Sequence, residues 1–227
     1  PGARCDIPSL EYSYQFDEDL QQEWNWSEKY SAQPEILEYI NHVADRFDLR
    51  NDIRFEEEVI NATFDENKSK WVISSSKEEY ESKFCIFATG CLSVPNKPDF
   101  PGLGDFKGHI LQTSTWPHEE QDFTGKKVAI IGTGSSAIQS IPLIAEQAEE
   151  LYVFQRTPNY SIPSNKGMMD KEIEADVKSR YPEFRKENYQ NGFGIAAISD
   201  ESTIAETDLE EVQEQLEINW QTAGLGF

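Results

Sequence analysis

The stretch KKVAIIGTGSSAIQSIPLIAEQAEELYVFQ, residues 126–155, limits the possible folds of this chain more than any other. It opens with KKVAII, a short and nearly continuous apolar run of the kind that forms a strand buried on both faces. GTGSSA follows as a loop, SSAIQSIPLIAEQAEE as a helix, and LYVFQ as a second strand. Strand, loop, helix and strand in that order read as one βαβ unit with parallel strands. Pro142 lacks a backbone N–H, so a kink or local irregularity is expected inside the helix.

Within this unit Gly132, Gly134 and Ala137 stand at the spacing G-x-G-x-x-G/A. The first glycine permits a tight turn, the second lets a pyrophosphate approach the backbone, and the third small residue allows close packing of helix on strand. The start of the helix adds free N–H groups and a positive dipole end, and Ser135 and Ser136 add hydroxyl donors. The pattern follows a strand and opens a helix, which is the context dinucleotide binding requires. An NAD site usually carries Asp or Glu at the end of its second strand. Here the strand runs into Gln155, Arg156 and Thr157. A guanidinium and a hydroxyl suit a ribose 2′-phosphate, so the expected nucleotide is NADP.

Composition narrows the partners. The formal net charge of −22 would repel nucleic acid and an anionic membrane surface. No apolar stretch approaches the roughly 20 residues of a membrane span. The chain begins at Pro1 rather than Met and shows no signal segment, which suggests a piece of a longer protein. Cys5, Cys85 and Cys91 lack metal or redox-pair spacing and read as reduced thiols of a cytoplasmic protein, with Cys85 expected in a strand core. The three histidines are too scattered for a metal site, so no metal is expected.

Ahead of the βαβ unit, residues 1–30 are aromatic and irregular. The run QPEILEYINHVADRFDL then predicts a helix, with Ile36, Leu37, Ile40, Val43, Ala44 and Phe47 on one face and Pro34 in the first turn. IRFEEEVINATFDE, KWVISSS and EEYESKFCIFATG predict a meander of short strands. Beyond residue 167 the chain becomes charged and helical, in KEIEADVKSRYPEF and DLEEVQEQLEINWQ, with acidic runs that read as solvated faces.

One connector stands out. FKGHILQTSTWP, residues 106–117, is bulky where connectors are usually small and polar. It resembles the identifying sequence F-x-G-x-x-x-H-x-x-x-W-P of the type I Baeyer–Villiger monooxygenases, with Phe106, Gly108, Trp116 and Pro117 matching and Gln112 in the histidine place. GARCD, EYSYQF, EWNWSEKY, ATGCLSVPNKPDFPG, GTGSSAIQ, VFQRTPNYSIP and the terminal WQTAGLGF resemble the same family. The resemblance implies an α/β fold of two dinucleotide-binding, Rossmann-like domains, one for FAD and one for NADP, with a helical insertion and a chain truncated at both ends. On that pattern residues 1–100 are part of the FAD domain, 101–120 a hinge linker, 121–165 the first half of the NADP domain, and 166–227 part of the insertion.

The resemblance also implies the chemistry. NADPH reduces FAD, the flavin captures O2 as a C4a-peroxyflavin, and an oxygen atom is inserted beside a ketone carbonyl to give an ester or lactone. Asp6 would lie at the flavin–nicotinamide junction, flanked by Arg4 and Cys5. Tyr12 and Val59 would meet FAD, and Thr133, Gly134, Ser135, Ser136, Ala137, Ile138 and Gln139, with Arg156 and Thr157, would hold NADP. Phe106 and Trp116 would pack the hinge while Gly108 lets backbone pass closely. The glycine loop for FAD and an active-site arginine are expected outside this stretch, so the stretch alone is not expected to catalyse. Oxygenation of nitrogen or sulfur, or a silent NADP-binding module, are the competing readings. Gln112 keeps hydrogen-bonding capacity but cannot carry a positive charge. In the full-length protein Gln112→His is therefore expected to change the ratio of product formed to NADPH consumed more than it changes FAD content, and the two are read by product assay and flavin absorbance.

Overall fold

A computed structural model describes residues 2–159, 161, 163–192, 194–195 and 208–222. The chain divides into two units: Pro1–Ala44 with Asp122–Phe227, and Asp45–Gln121. The first 44 residues therefore cluster with the glycine-loop region, and the division does not fall near residue 100.

In the first unit the irregular aromatic segment supplies the core. Leu20, in the short helix α1 (Glu18–Glu23), and Trp26 are completely buried. Trp26 and Trp24 close around Tyr39 of α2 (Gln33–Arg46), with ring centroids 5.1 and 5.2 Å away. The Tyr39 hydroxyl accepts the Tyr14 N–H at 2.8 Å, and burial raises its pKa. This cluster sets the rotation of α2. The helix buries Tyr39 and Val43, while Leu37 and Ile40 of the expected face stay exposed. Two of the polar side chains taken out of water are paired: Trp26 Nε1 donates to Ser13 Oγ at 3.0 Å, and Ser9 Oγ donates to Ser31 Oγ at 2.9 Å.

The βαβ unit forms as read. β4 (Lys127–Ile131) and β5 (Glu150–Phe154) pair in parallel, from Lys127 opposite Glu150 to Ile131 opposite Phe154. They are connected through α3 (Ser135–Ala145). Pro142 is accommodated inside α3, which ends three residues later.

The run KEIEADVKSRYPEF forms two helices rather than one, α4 (Lys171–Ser179) and α5 (Tyr181–Gln190), broken at Arg180. The cause is Pro182, which has no N–H to donate four residues back to the Lys178 carbonyl. Gln22 Nε2 takes that carbonyl instead at 2.8 Å. Lys178 Nζ returns bonds to the carbonyls of Gln22 and Trp24 at 2.9 and 2.7 Å, and burial lowers its pKa. Further along, the buried Arg185 donates to the carbonyls of Leu10 and Ser13, both at 3.0 Å, and pairs with Glu11 at 3.4 Å. α4 and α5 are thus fastened to the N-terminal segment through side chains that capture main-chain carbonyls. α6 (Leu209–Thr222) follows as expected; residues 223–227 of WQTAGLGF lie outside the described residues.

The second unit is an antiparallel meander of β1 (Val59–Asp65), β2 (Lys70–Ser75) and β3 (Glu79–Ser82), in that spatial order. Its register shifts between Val59 and Asn61. Trp71 lies edge-on to both Phe64 and Phe87, with centroids 5.6 and 5.5 Å apart. The third predicted strand is shorter than read. It stops at Ser82, and FCIFATG forms no strand, with Phe84 77% and Ile86 89% exposed. A continuous apolar run needs ladder neighbours to stay extended and buried, and among the described residues none pairs with it. Cys85 is accordingly half-buried and not in a strand core. All three cysteines are free thiols.

Removing one partner of a buried ion pair leaves an uncompensated charge, at a cost of about 3–5 kcal/mol. Arg185→Ala is expected to lower stability by that order, and Glu11→Ala with Arg185→Ala by less than the sum of the single effects. Urea unfolding of the full-length protein, followed by tryptophan fluorescence, measures both.

Candidate functional site

Gly132 has φ +104°, a backbone that L side chains rarely adopt, and its N–H donates to the Phe154 carbonyl at 2.9 Å. This bond seats the loop at the end of β5. Gly134 caps α3 with φ −74° and ψ 176°, which any residue can adopt. Its glycine therefore serves space rather than conformation. A Cβ at either position would meet no heavy atom within 4 Å, so the front of the loop is open. The N–H groups of Ser135, Ser136 and Ala137 precede the first helical bond, from Ile138 N–H to the Gly134 carbonyl at 3.0 Å, and no side chain caps the helix. Open space beside uncapped donors fits a pyrophosphate.

Thr133 is braced from both sides: Gln155 Nε2 donates to its Oγ1 and Asn159 Nδ2 to its carbonyl, each at 2.9 Å. Sequence reading placed Gln155 only as the residue standing where a carboxylate is usual, and missed Asn159. The polar VFQRTPN run after β5 was the available signal. Arg156 and Thr157 stand at the surface between these two bracing residues, and the guanidinium has no partner among the described residues.

Gly2–Asp6 lies against α3. Gly2, with φ +77°, approaches so closely that a Cβ there would sit 2.1 Å from the Gln139 carbonyl oxygen. Arg4 N–H donates to Gln139 Oε1 at 3.3 Å, and Gln139 Nε2 donates to Asp6 Oδ1 at 2.6 Å. The structure thus joins Arg4, Asp6 and Gln139, three of the expected residues far apart in sequence. Two side chains of this segment present less than expected. The Arg4 guanidinium is occupied by Glu28 and the Tyr30 carbonyl, both at 2.7 Å. Cys5 is buried, its N–H bonded to the Ser31 carbonyl at 2.8 Å, and burial pushes its thiol pKa up. Neither side chain is therefore free to reach a ligand in the way expected. Tyr12 is partly exposed; burial raises its pKa, and a hydrogen bond from the Asp6 backbone to its hydroxyl opposes this.

In the other unit, Val59 opens the edge strand β1, leaving outward backbone groups free of the ladder among the described residues. The connector motif is built differently from expectation. A Cβ at Gly108 would lie 2.5 Å from Phe106 Cζ, so Gly108 makes room for that ring and not for passing backbone. Phe106 itself is 61% exposed, while Trp116 and Pro117 are half-buried. Gln112 Nε2 donates to the Asn96 carbonyl at 2.8 Å, a bond that a neutral amide serves fully. Among the described residues no cluster of His, Cys, Asp and Glu could hold a metal, and no helix is long and apolar enough to cross a membrane.

A βαβ unit with an open glycine loop and an unpaired arginine after its second strand defines an α/β protein of the dinucleotide-binding class. Residues 11–223 match the model of the pyridine nucleotide-disulphide oxidoreductases, and the chain belongs to that family. Its homologues include Baeyer–Villiger monooxygenases. Acetone monooxygenase (methyl acetate-forming) of Gordonia sp. (strain TY-5) is 42% identical over 82% of this chain and 35% of its own length. A Baeyer–Villiger monooxygenase of Pseudooceanicola batsensis is 39% identical over 100% of this chain and 42% of its own. A crystal structure of the OTEMO complex with FAD and NADP matches with TM-score 0.91 and 36% identity, over 100% of this chain and 44% of that one. The chain thus spans roughly two fifths of the length of the relatives it matches.

Gly2→Ala would force both a strained φ and a clash with backbone, at a cost of about 1–3 kcal/mol for the strain alone. The segment is expected to lift from α3, seen as faster hydrogen exchange at the Arg4 amide and a lower Tm.

Proposed function

We propose that the protein to which this chain belongs is an FAD- and NADPH-dependent monooxygenase that inserts one atom of O2 beside a ketone carbonyl, giving an ester or lactone. The observation that carries this reading is the junction of Asp6 with the glycine-loop helix through Gln139, in a chain whose homologues include Baeyer–Villiger monooxygenases. When bound, NADPH and FAD would supply the hydride and the oxygen activation. In this reading the N–H groups of Ser135, Ser136 and Ala137 hold the pyrophosphate, with Thr133, Gly134, Ile138 and Gln139 shaping the cradle. Arg156 and Thr157 hold the 2′-phosphate. Asp6 keeps its second carboxylate oxygen for the nicotinamide end, beside the Arg4 and Cys5 backbone. Tyr12 meets FAD.

Residues 1–100 then belong to the FAD half, 101–120 to the linker, 121–165 to the NADP half and 166–227 to the insertion. The clustering of residues 1–44 with the glycine-loop region supports a site assembled from both halves. Phe106, Gly108, Gln112, Trp116 and Pro117 shape the linker. The substrates are a small-molecule ketone and O2, and the free thiols support a cytoplasmic location.

The test is the full-length protein. It is expected to purify yellow with FAD, oxidise NADPH in preference to NADH, and convert a cyclic ketone to a lactone in the presence of O2. A colourless protein, or one indifferent to the 2′-phosphate, overturns the reading. Arg156→Ala removes a charge-assisted contact of about 1.5–3 kcal/mol, so KM for NADPH is expected to rise roughly 10- to 100-fold with little change for NADH, as steady-state kinetics with each nucleotide would read.

A further inference from the structure

Among the described residues, Gln139 makes the side-chain hydrogen bonds by which the helix following the glycine loop grips the N-terminal segment. Its Oε1 accepts the Arg4 N–H at 3.3 Å, and its Nε2 donates to Asp6 Oδ1 at 2.6 Å and, more weakly, to the Arg4 carbonyl at 3.4 Å. The amide orientation follows from these partners: turning it over would set oxygen against a carboxylate and N–H₂ against N–H. Its own carbonyl lies in the space that Gly2 leaves by having no side chain. Asp6 is exposed, and Gln139 supplies the hydrogen bond to its carboxylate. Without Gln139 the carboxylate would be free to rotate and move away from α3.

We infer that Gln139 is a positioning residue for Asp6: it ties the carboxylate to the same helix whose first turn faces the nucleotide phosphates, so that nucleotide seating and Asp6 placement are set together. This rests on the proposed monooxygenase reading and separates two roles for Gln139. A residue that only lines the nucleotide site would change nucleotide affinity. One that acts through Asp6 changes the step needing a correctly placed nicotinamide, and does so only while Asp6 is present.

The experiment uses the full-length flavoprotein with Gln139→Met, Gln139→Glu, Asp6→Ala and the Asp6→Ala/Gln139→Met pair. Anaerobic stopped-flow with NADPH gives the flavin-reduction rate and the nucleotide Kd, and flavin content confirms that each variant is folded. Gln139→Met is expected to slow reduction by about tenfold, the scale of a lost charge-assisted hydrogen bond, with Kd changed much less, and to have no further effect in the Asp6→Ala background. Gln139→Glu sets two carboxylates against each other, so one must hold its proton to higher pH; the acid limb of the reduction-rate profile is expected to move up. If Gln139→Met loses its flavin, the Gln139→Glu profile decides alone. Effects that multiply in the Asp6→Ala background, a Kd that changes in step with rate, or an unmoved pH limb overturn the inference. A wild-type protein whose flavin NADPH does not reduce overturns the monooxygenase reading itself.

Discussion

The contact between Gly2–Asp6 and α3 organises what this chain can do. A carbonyl at Gln139 occupies the volume where any other residue at position 2 would carry a Cβ. With the two backbones that close, the Gln139 amide reaches both Arg4 and Asp6. A longer separation would cost both bonds at once, because hydrogen bonds weaken steeply with distance and angle. The glycine loop by itself is an anion cradle. The docked carboxylate and main chain give that cradle a second wall of defined chemistry.

The helical remainder is fixed to the same N-terminal segment by another device. Pro182 breaks the helix and frees the Lys178 carbonyl, Gln22 takes it, and Lys178 and Arg185 reach back to carbonyls of residues 10–24. These bonds satisfy carbonyls that lie outside any sheet, in loops or in the last turn of short helices. That is why an irregular aromatic stretch can be buried at all: a loop goes inside only when its polar groups find partners.

Much of this was legible beforehand. The βαβ unit, the glycine loop, α2 and the three-strand meander follow from periodicity, and the family from several strings of residues together. Three things were not. Residues 1–30 have no period, so the burial of Leu20 and Trp26 could not be read from them. FCIFATG carries the composition of a buried strand, and composition cannot report whether a neighbour pairs with it. At the site, Asn159 and Gly2 matter through contacts 26 and 137 residues away, to Thr133 and Gln139, and such pairings are invisible to local spacing. The bulky connector was legible as a motif but not as geometry, since Gly108 answers to a ring two residues earlier.

The pair of amides on Thr133 has a thermodynamic consequence for ligand capture. A phosphate-binding turn that fluctuates must be frozen by its ligand, and the lost backbone entropy, about 1–2 kcal/mol per residue, is subtracted from affinity. Gln155 and Asn159 hold the middle of this turn in the bare protein. The ordering cost then falls on folding, where it is shared with the whole unit, and the incoming dinucleotide meets a preorganised surface.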